Sequence, residues 1–220
     1  MSSVVNGVPT HEALDVSGTS LFRAALVCSL PHRASEQESF DAVLDEFVPV
    51  FETVPMVDGE REGALLVVSD DAGSATAVRF WRDALSTGLA VASPAAFPWC
   101  LVNAPCASIA QRFGVTGPNL TWLVSFADPR AAFDAPAAWL ADRLCLQLDD
   151  GKRFDAWLVA LHFGAPHATA MLWHWGRCGA DGNHDEALAL AATIRDIAAA
   201  GWISATDGTL RLASLTSRER

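Results

Sequence analysis

The chain has 220 residues, 51% of them hydrophobic, and its 26 acidic and 15 basic side chains give a formal net charge of -11. Such a chain is long enough to bury a full core within one domain. Its acidic excess offers no positive surface for DNA or RNA, and its single lysine, Lys152, leaves little material for Schiff-base chemistry, so neither function is expected.

The first elements alternate between strand and helix patterns. Residues 21–30 form an apolar run that predicts a strand. Ser35 and Glu38 then form a capping box, which begins a helix over residues 35–48. The apolar face of that helix is expected to pack on a sheet.

A buried strand and an amphipathic helix come next. Residues 64–69 are continuously apolar, which is typical of a strand buried on both faces of a parallel or mixed sheet. Ser74 caps the following helix, which ends at Gly88. Three apolar residues of this helix share one face: Val78, Trp81 and Leu85.

The second half continues the alternation. A helix over 102–113 ends at Gly114, and a strand follows at 120–125. The next helix begins at Pro136 and closes before Gly151. Its apolar residues recur at four-residue steps: Leu140, Leu144 and Leu148.

The last elements are a strand pair, a helix and a hairpin. Residues 156–163 and 168–175 form the two strands. Asn183 and Glu186 frame the start of the helix, which presents Leu190, Ile194 and Ile197 on one face and ends before Gly201; the hairpin lies at Asp207-Gly208. The order predicts a single α/β domain over 19–216, with a mixed sheet layered with helices and flexible ends at 1–18 and 217–220.

Cysteine usage and the apolar profile suggest a compartment. The five cysteines, an odd and dispersed set without a C-x-x-C pair, predict reduced thiols in the cytoplasm. The N-terminus has neither a basic nor an apolar signal region, so no signal peptide is expected. The apolar stretch 188–200 is interrupted by Arg195 and Asp196, so no membrane span is expected.

One segment, residues 93–126, carries the most specific pattern: SPAAFPWCLVNAPCASIAQRFGVTGPNLTWLVSF. It resembles the run that leads to the nucleophilic cysteine of β-ketoacyl synthases. In that family S-P-x-x-F-P is followed by an Asn, a helix, G-P-N or G-P-S, a strand, and an Ala-Cys-x-Ser turn. The matching residues are Ser93, Pro94, Phe97, Pro98, Asn103, Gly114, Gly117, Pro118 and Asn119.

This resemblance implies a protein without its own acyl-transfer chemistry. At the family spacing the nucleophile falls at Phe126, whose ring has no lone pair with which to attack a thioester. The element order resembles the N-terminal half of the thiolase-like fold over roughly residues 20–175. The two histidines that the second half supplies in the family are therefore also expected to be missing. No cofactor and no metal are expected.

The resemblance also implies a partner. Ketosynthase-like domains dimerise through the strand before the nucleophile, which here comprises Leu120, Thr121, Trp122, Leu123, Val124 and Ser125. Chain-length factors lack the cysteine, pair with an active ketosynthase and help to wall its acyl tunnel. A shortened group of them, associated with aryl polyene and xanthomonadin-type pigment clusters, resembles this chain in length and motif.

The predicted tunnel wall is the S-P-x-x-F-P segment, because in the family it borders the acyl pocket of the other subunit. The residues concerned are Ala95, Ala96, Phe97, Trp99 and Cys100. The acyl carrier protein is expected to be an indirect partner, since carrier proteins are acidic and like-charge repulsion would direct them to the ketosynthase subunit.

Other interpretations stay open. Ser125, beside the position of the missing nucleophile, is a candidate replacement, but no residue spacing supplies the base that would activate it. Cys100 and Cys106 lie near a helix start, where a thiol pKa can be lowered, although packing thiols are more common. A further group of side chains could bind a metal, but it lacks the closely paired ligands, such as H-x-x-x-H or C-x-x-C, that are typical of metal sites. These residues are His167, His174, Cys178, His184 and Asp185. A scaffold or regulatory ketosynthase remnant, or an independent enzyme that uses these cysteines or histidines, would also fit.

Overall fold

The computed structural model of the protein describes residues 12–16, 19–31, 36–91, 94–146, 153–163, 167–178 and 183–206. Its helices and longer strands, in chain order, are β1 (Glu12–Val16), β2 (Thr19–Pro31), α1 (Glu36–Phe51), β3 (Gly63–Ser69), α2 (Ser74–Thr87), α3 (Ala104–Phe113), β4 (Asn119–Leu123), α4 (Pro129–Leu146), β5 (Arg153–His162), β6 (His167–Cys178) and α5 (His184–Thr206). Two short 3-10 helices cover Leu89–Val91 and Pro98–Cys100.

The strands form one mixed sheet in the order β1-β2-β6-β5-β3-β4. β3 is central to its parallel part and pairs with both β4 and β5. β6 runs antiparallel to both β5 and β2, and β1 is antiparallel to β2. β4 therefore stands at one edge of the sheet, with a partner strand on one side only among the described residues.

Two apolar cores, one on each face of the sheet, hold the helices in place. Leu65 and Val67 point to the face covered by α1 and α3, whereas Leu66 and Val68 point to the face covered by α4 and α5. All seven residues of β3 are buried, because a parallel strand between two helical layers meets protein on both sides. The predicted α/β class, the mixed sheet and the doubly buried strand are confirmed.

The predicted start of α4 is wrong. The helix begins at Pro129, where the N–H groups of Arg130 and Ala131 donate to Asp128 Oδ1 over 3.1 and 3.2 Å. An acidic side chain in this position satisfies backbone donors that have no partner within the helix. Pro136 lies inside the helix and is buried, and the predicted apolar position at Leu148 lies outside the described residues.

The predicted end of α5 is also wrong, since the helix continues through Gly201 to Thr206. A Cβ at position 201 would lie 2.9 Å from Met171 Cε and 3.2 Å from Trp173 Cζ2. Glycine therefore serves close packing of the helix on β6 and does not end it. Asn183 caps α5 as predicted, by accepting the Glu186 N–H over 3.0 Å.

Three predictions concern the two ends of the chain and the start of α1. β1 lies within the segment 1–18, for which flexibility was expected, and it pairs with β2. The hairpin at Asp207-Gly208 and the capping residue Ser35 lie outside the described residues. The predicted division into a domain at 19–216 with flexible ends stays a prediction.

Candidate partner-facing surface

The predicted interface strand lies at one edge of the sheet that the described residues form. β4 covers residues 119–123, so Val124 and Ser125 follow the strand and are not part of it. Leu123 is 52% exposed, and Leu120 is also exposed. A strand edge with unpaired N–H and C=O groups and apolar side chains is a ready site for pairing with another chain.

Gly117 of the G-P-N motif allows β4 to approach β3. A Cβ at position 117 would lie 2.0 Å from the carbonyl oxygen of Gly63, which is far inside van der Waals contact. Gly63 is equally confined, since a Cβ there would lie 2.3 Å from the Asp155 carbonyl oxygen. The carbonyl of Pro118 then accepts the Leu65 N–H over 2.9 Å and starts the pairing of the two strands. The glycine of the motif is therefore explained by the close packing of β4 against β3.

Phe126 occupies the turn after β4. Its ring stacks on Trp202 with the centroids 4.2 Å apart, and it lies 6.0 Å from the ring of Phe133. Ser125 beside it is exposed, and its Oγ accepts the Ala127 N–H over 3.4 Å. Among the described residues, no carboxylate or imidazole is hydrogen-bonded to Ser125 Oγ, so nothing there activates it as a nucleophile.

The predicted tunnel-wall residues form a turn and a short 3-10 helix beside α2. Phe97 is exposed, whereas the ring of Trp99 is turned towards the core and meets Phe40 of α1 edge-on with centroids 5.6 Å apart. Cys100 Sγ donates to the Ala96 carbonyl over 3.5 Å. Of this segment, Ser93 lies outside the described residues.

α2 presents its apolar face to solvent. Trp81 is 52% exposed and Leu85 is 84% exposed, and Val78 lies on the same face. Phe80 connects this helix with the motif segment, because its ring lies 5.6 Å from that of Trp81 and 5.8 Å from that of Phe97. Isolated exposed leucines are ordinary, but several exposed apolar side chains on one helix face form a candidate contact surface.

The start of α2 differs from the sequence prediction. The cap is Gly73, with φ 78°, and Ser74 is the first helical residue. Any other residue at position 73 would have a strained backbone, and its Cβ would lie 3.1 Å from the Cys100 carbonyl oxygen. Gly73 thus lets the motif segment lie against the beginning of α2.

Two of the described thiols, Cys106 and Cys145, are buried packing groups. Cys106 is buried, and this burial raises the pKa of its thiol to about 11. Burial also raises the pKa of Cys145, although Arg177 donates to its Sγ over 2.8 Å and opposes the shift. Because the thiolate is the reactive form, neither Cys106 nor Cys145 is activated for nucleophilic chemistry.

The predicted histidine and cysteine group is not brought together in the described part. His174 is buried and its Nε2 lies 2.6 Å from Asp155 Oδ1, where the pair sits between β6 and β5. His184 and Asp185 are exposed at the start of α5. The side chains of His167 and Cys178 lie outside the described residues.

The structure assembles a different group that sequence reasoning missed. Asp70 and Asp71 follow β3, and His162 ends β5. Their ligand-capable atoms all lie within 4.8 Å of one another. The available signal was an acidic pair directly after a buried strand, since the carboxyl ends of neighbouring parallel strands meet at one edge of a sheet.

One described helix, α5, is long and apolar enough to cross a membrane, with a mean hydropathy of 1.3 over its best window, a third of which is buried. That helix also carries Arg195 and Asp196, which form ion pairs with Asp134 and Arg130 of α4. Length and composition are therefore weak evidence for a span, because core helices pass the same test.

Comparisons with known proteins include a similar solved structure. No protein-family model matches the chain, and no curated protein matches it in sequence. Among solved structures, the chain is similar to a ketosynthase (ApeO) in complex with its chain length factor (ApeC) from Xenorhabdus doucetiae, with a TM-score of 0.42 and 8% sequence identity. The match covers 70% of this chain and 59% of that chain, so this chain spans less than two thirds of the matched protein.

Proposed function

We propose that the protein is a non-catalytic subunit of the chain-length-factor kind, which pairs with an active β-ketoacyl synthase and shapes its acyl tunnel. The observation that carries the proposal is Phe126, in the turn after the edge strand β4. This is the position at which the ketosynthase resemblance expects the nucleophile, and the packed aromatic ring there cannot form a thioester.

Two surfaces support pairing with another chain. β4 has one unpaired edge among the described residues, and α2 exposes Trp81 and Leu85. Burial of one such leucine against a partner contributes about 1.5–3 kcal/mol, which corresponds to roughly a tenfold to hundredfold change in affinity. The first surface offers backbone hydrogen bonds and the second an apolar contact, and protein interfaces use both kinds of interaction.

The motif segment gives the subunit its proposed effect on the product. Ala95 and Ala96 form a turn beside the exposed ring of Phe97. If this turn borders the partner's acyl pocket, its small side chains leave room for a growing chain. We therefore expect Ala96→Trp to shorten the products of the complex, because an indole would fill space that the acyl chain occupies.

The direct test is co-expression with the ketosynthase encoded nearest to this chain, followed by size-exclusion chromatography with light scattering. Leu85→Asp should weaken the complex at least tenfold, because a carboxylate would enter the apolar contact. Leu188→Asp is the matched control, since Leu188 is 57% exposed and belongs to α5, an element that forms neither surface. Equal effects of the two substitutions would refute the proposed interface.

The product assay separates this function from a scaffold or a regulatory remnant. A scaffold would bind the ketosynthase without changing product length, so unchanged products with Ala96→Trp in a complex of normal affinity would contradict the tunnel role. The acyl carrier protein is expected to contact the ketosynthase subunit, because like charges repel it from this acidic chain. Carrier-protein crosslinks that concentrate on this chain would contradict that expectation.

A further inference from the structure

Three ligand-capable side chains converge where the parallel strands β3 and β5 end. His162 Nδ1 lies 2.9 Å from Asp70 Oδ1 and 3.4 Å from Asp71 Oδ2. The imidazole nitrogen therefore faces two carboxylate oxygens from a neighbouring strand. All three side chains are partly exposed, with His162 at 40%, so the group is open to solvent.

These separations match those around a shared metal ion. Ligand atoms bound at about 2.1 Å are about 3.0 Å apart when adjacent in an octahedral site and about 3.4 Å apart in a tetrahedral site. The two nitrogen–oxygen distances, 2.9 and 3.4 Å, are therefore short enough for one ion to contact the imidazole and both carboxylates. An ion could replace the proton between nitrogen and oxygen with only small movements of the side chains.

Asp71 is oriented before any ion binds. The Phe163 N–H donates to both of its carboxylate oxygens, over 2.9 and 3.1 Å, and Ser69 Oγ donates to Oδ1 over 3.2 Å. Such supporting bonds hold metal-binding carboxylates in position. Oδ2 is left facing the imidazole of His162.

The charge balance also favours a cation. Asp70 and Asp71 place two carboxylates beside the single imidazole of His162. In the part of the chain that the structure describes, no lysine or arginine forms an ion pair with Asp70 or Asp71; His162 is their ion-pair partner. A divalent cation would neutralise both carboxylates at once.

We propose that Asp70, Asp71 and His162 bind one divalent first-row transition-metal ion, through Nδ1 of His162 and one oxygen of each carboxylate, with water completing the coordination. The mixed nitrogen and oxygen ligands suit Zn²⁺, Co²⁺ or Mn²⁺ better than Mg²⁺, which prefers oxygen alone. The ion would join the carboxyl ends of β3 and β5 just before α2. This proposal does not depend on the proposed subunit function.

The test is titration of the full-length protein with Co²⁺, followed by calorimetry and by absorption spectroscopy. We expect one ion per chain, without the intense near-ultraviolet band that cysteine thiolates give, and no comparable binding of Mg²⁺. His162→Asn should weaken Co²⁺ binding at least tenfold. His184→Asn, which replaces an exposed histidine at the start of α5, should leave the affinity unchanged.

Several outcomes would overturn the proposal. They are absence of Co²⁺ binding, Co²⁺ binding that His162→Asn does not weaken, a thiolate charge-transfer band, and Mg²⁺ binding of equal strength. Asp71→Asn gives a second ligand variant, although it also alters the acceptor of the Phe163 N–H. Circular dichroism of His162→Asn establishes that lost binding does not reflect lost folding.

Discussion

Substitution of Gly117 by alanine should be among the most damaging small changes in this protein. The added Cβ would lie 2.0 Å from the Gly63 carbonyl oxygen, at least 1.0 Å inside the 3.0 Å below which real Cβ contacts essentially never occur. Both clashing groups are fixed by backbone, and Gly63 cannot recede because the Asp155 carbonyl and the Trp157 ring lie against it. Only separation of β4 from β3 relieves the contact.

Such overpacking costs about 3 kcal/mol, the upper end of the usual range for an added methyl group. The free energy of unfolding can be measured by urea denaturation with tryptophan fluorescence. Gly59→Ala is the control, because a Cβ there meets nothing within 4 Å and the substitution carries only the backbone strain of φ 84°, about 1 kcal/mol. If Gly117→Ala lost no more stability than Gly59→Ala, the close approach of β3 and β4 would be refuted.

Two further predictions concern buried polar groups. Burial raises the pKa of Cys106 from 9.0 to about 11, which leaves about one thiolate in a thousand at pH 8. Iodoacetamide should therefore alkylate Cys106 roughly a hundredfold more slowly in the folded than in the unfolded protein. Equal alkylation rates, measured by peptide mass spectrometry, would contradict the burial of this thiol. Because the folded-state pKa is the higher one, this thiol's contribution to stability should be present below pH 9 and lost as pH rises towards 11. His174→Ala removes a buried partner of Asp155 and should cost about 3 kcal/mol. Arg112→Ala breaks an exposed ion pair and should cost less than about 1 kcal/mol. Similar losses in the free energy of unfolding, measured by urea denaturation, would contradict the stronger contribution expected of the buried pair.

Sequence periodicity predicted the elements whose pattern is local. α1 and α3 have one buried face, and β3 is apolar from Gly63 to Val68, so the helices and the strand appear in the sequence at nearly their observed positions. Boundaries that depend on packing were missed. α5 passes Gly201 because that residue lies against Met171 and Trp173, and no local pattern contains this contact.

The candidate sites show the same limit. The period-3.6 pattern placed Val78, Trp81 and Leu85 on one face of α2, but it could not indicate that this face meets solvent and not the core. The edge position of β4 follows from the order of the whole sheet. The Asp70, Asp71 and His162 group joins residues about ninety positions apart, which only the parallel pairing of β3 and β5 brings together.

The measurement that tests the central claim most directly is the mass of the co-expressed pair by light scattering after size-exclusion chromatography. We expect a stable one-to-one complex with the ketosynthase, which Leu188→Asp leaves intact and Leu85→Asp weakens at least tenfold. A wild-type chain that elutes alone as a well-behaved monomer, in the presence of an intact ketosynthase dimer, would contradict the subunit function.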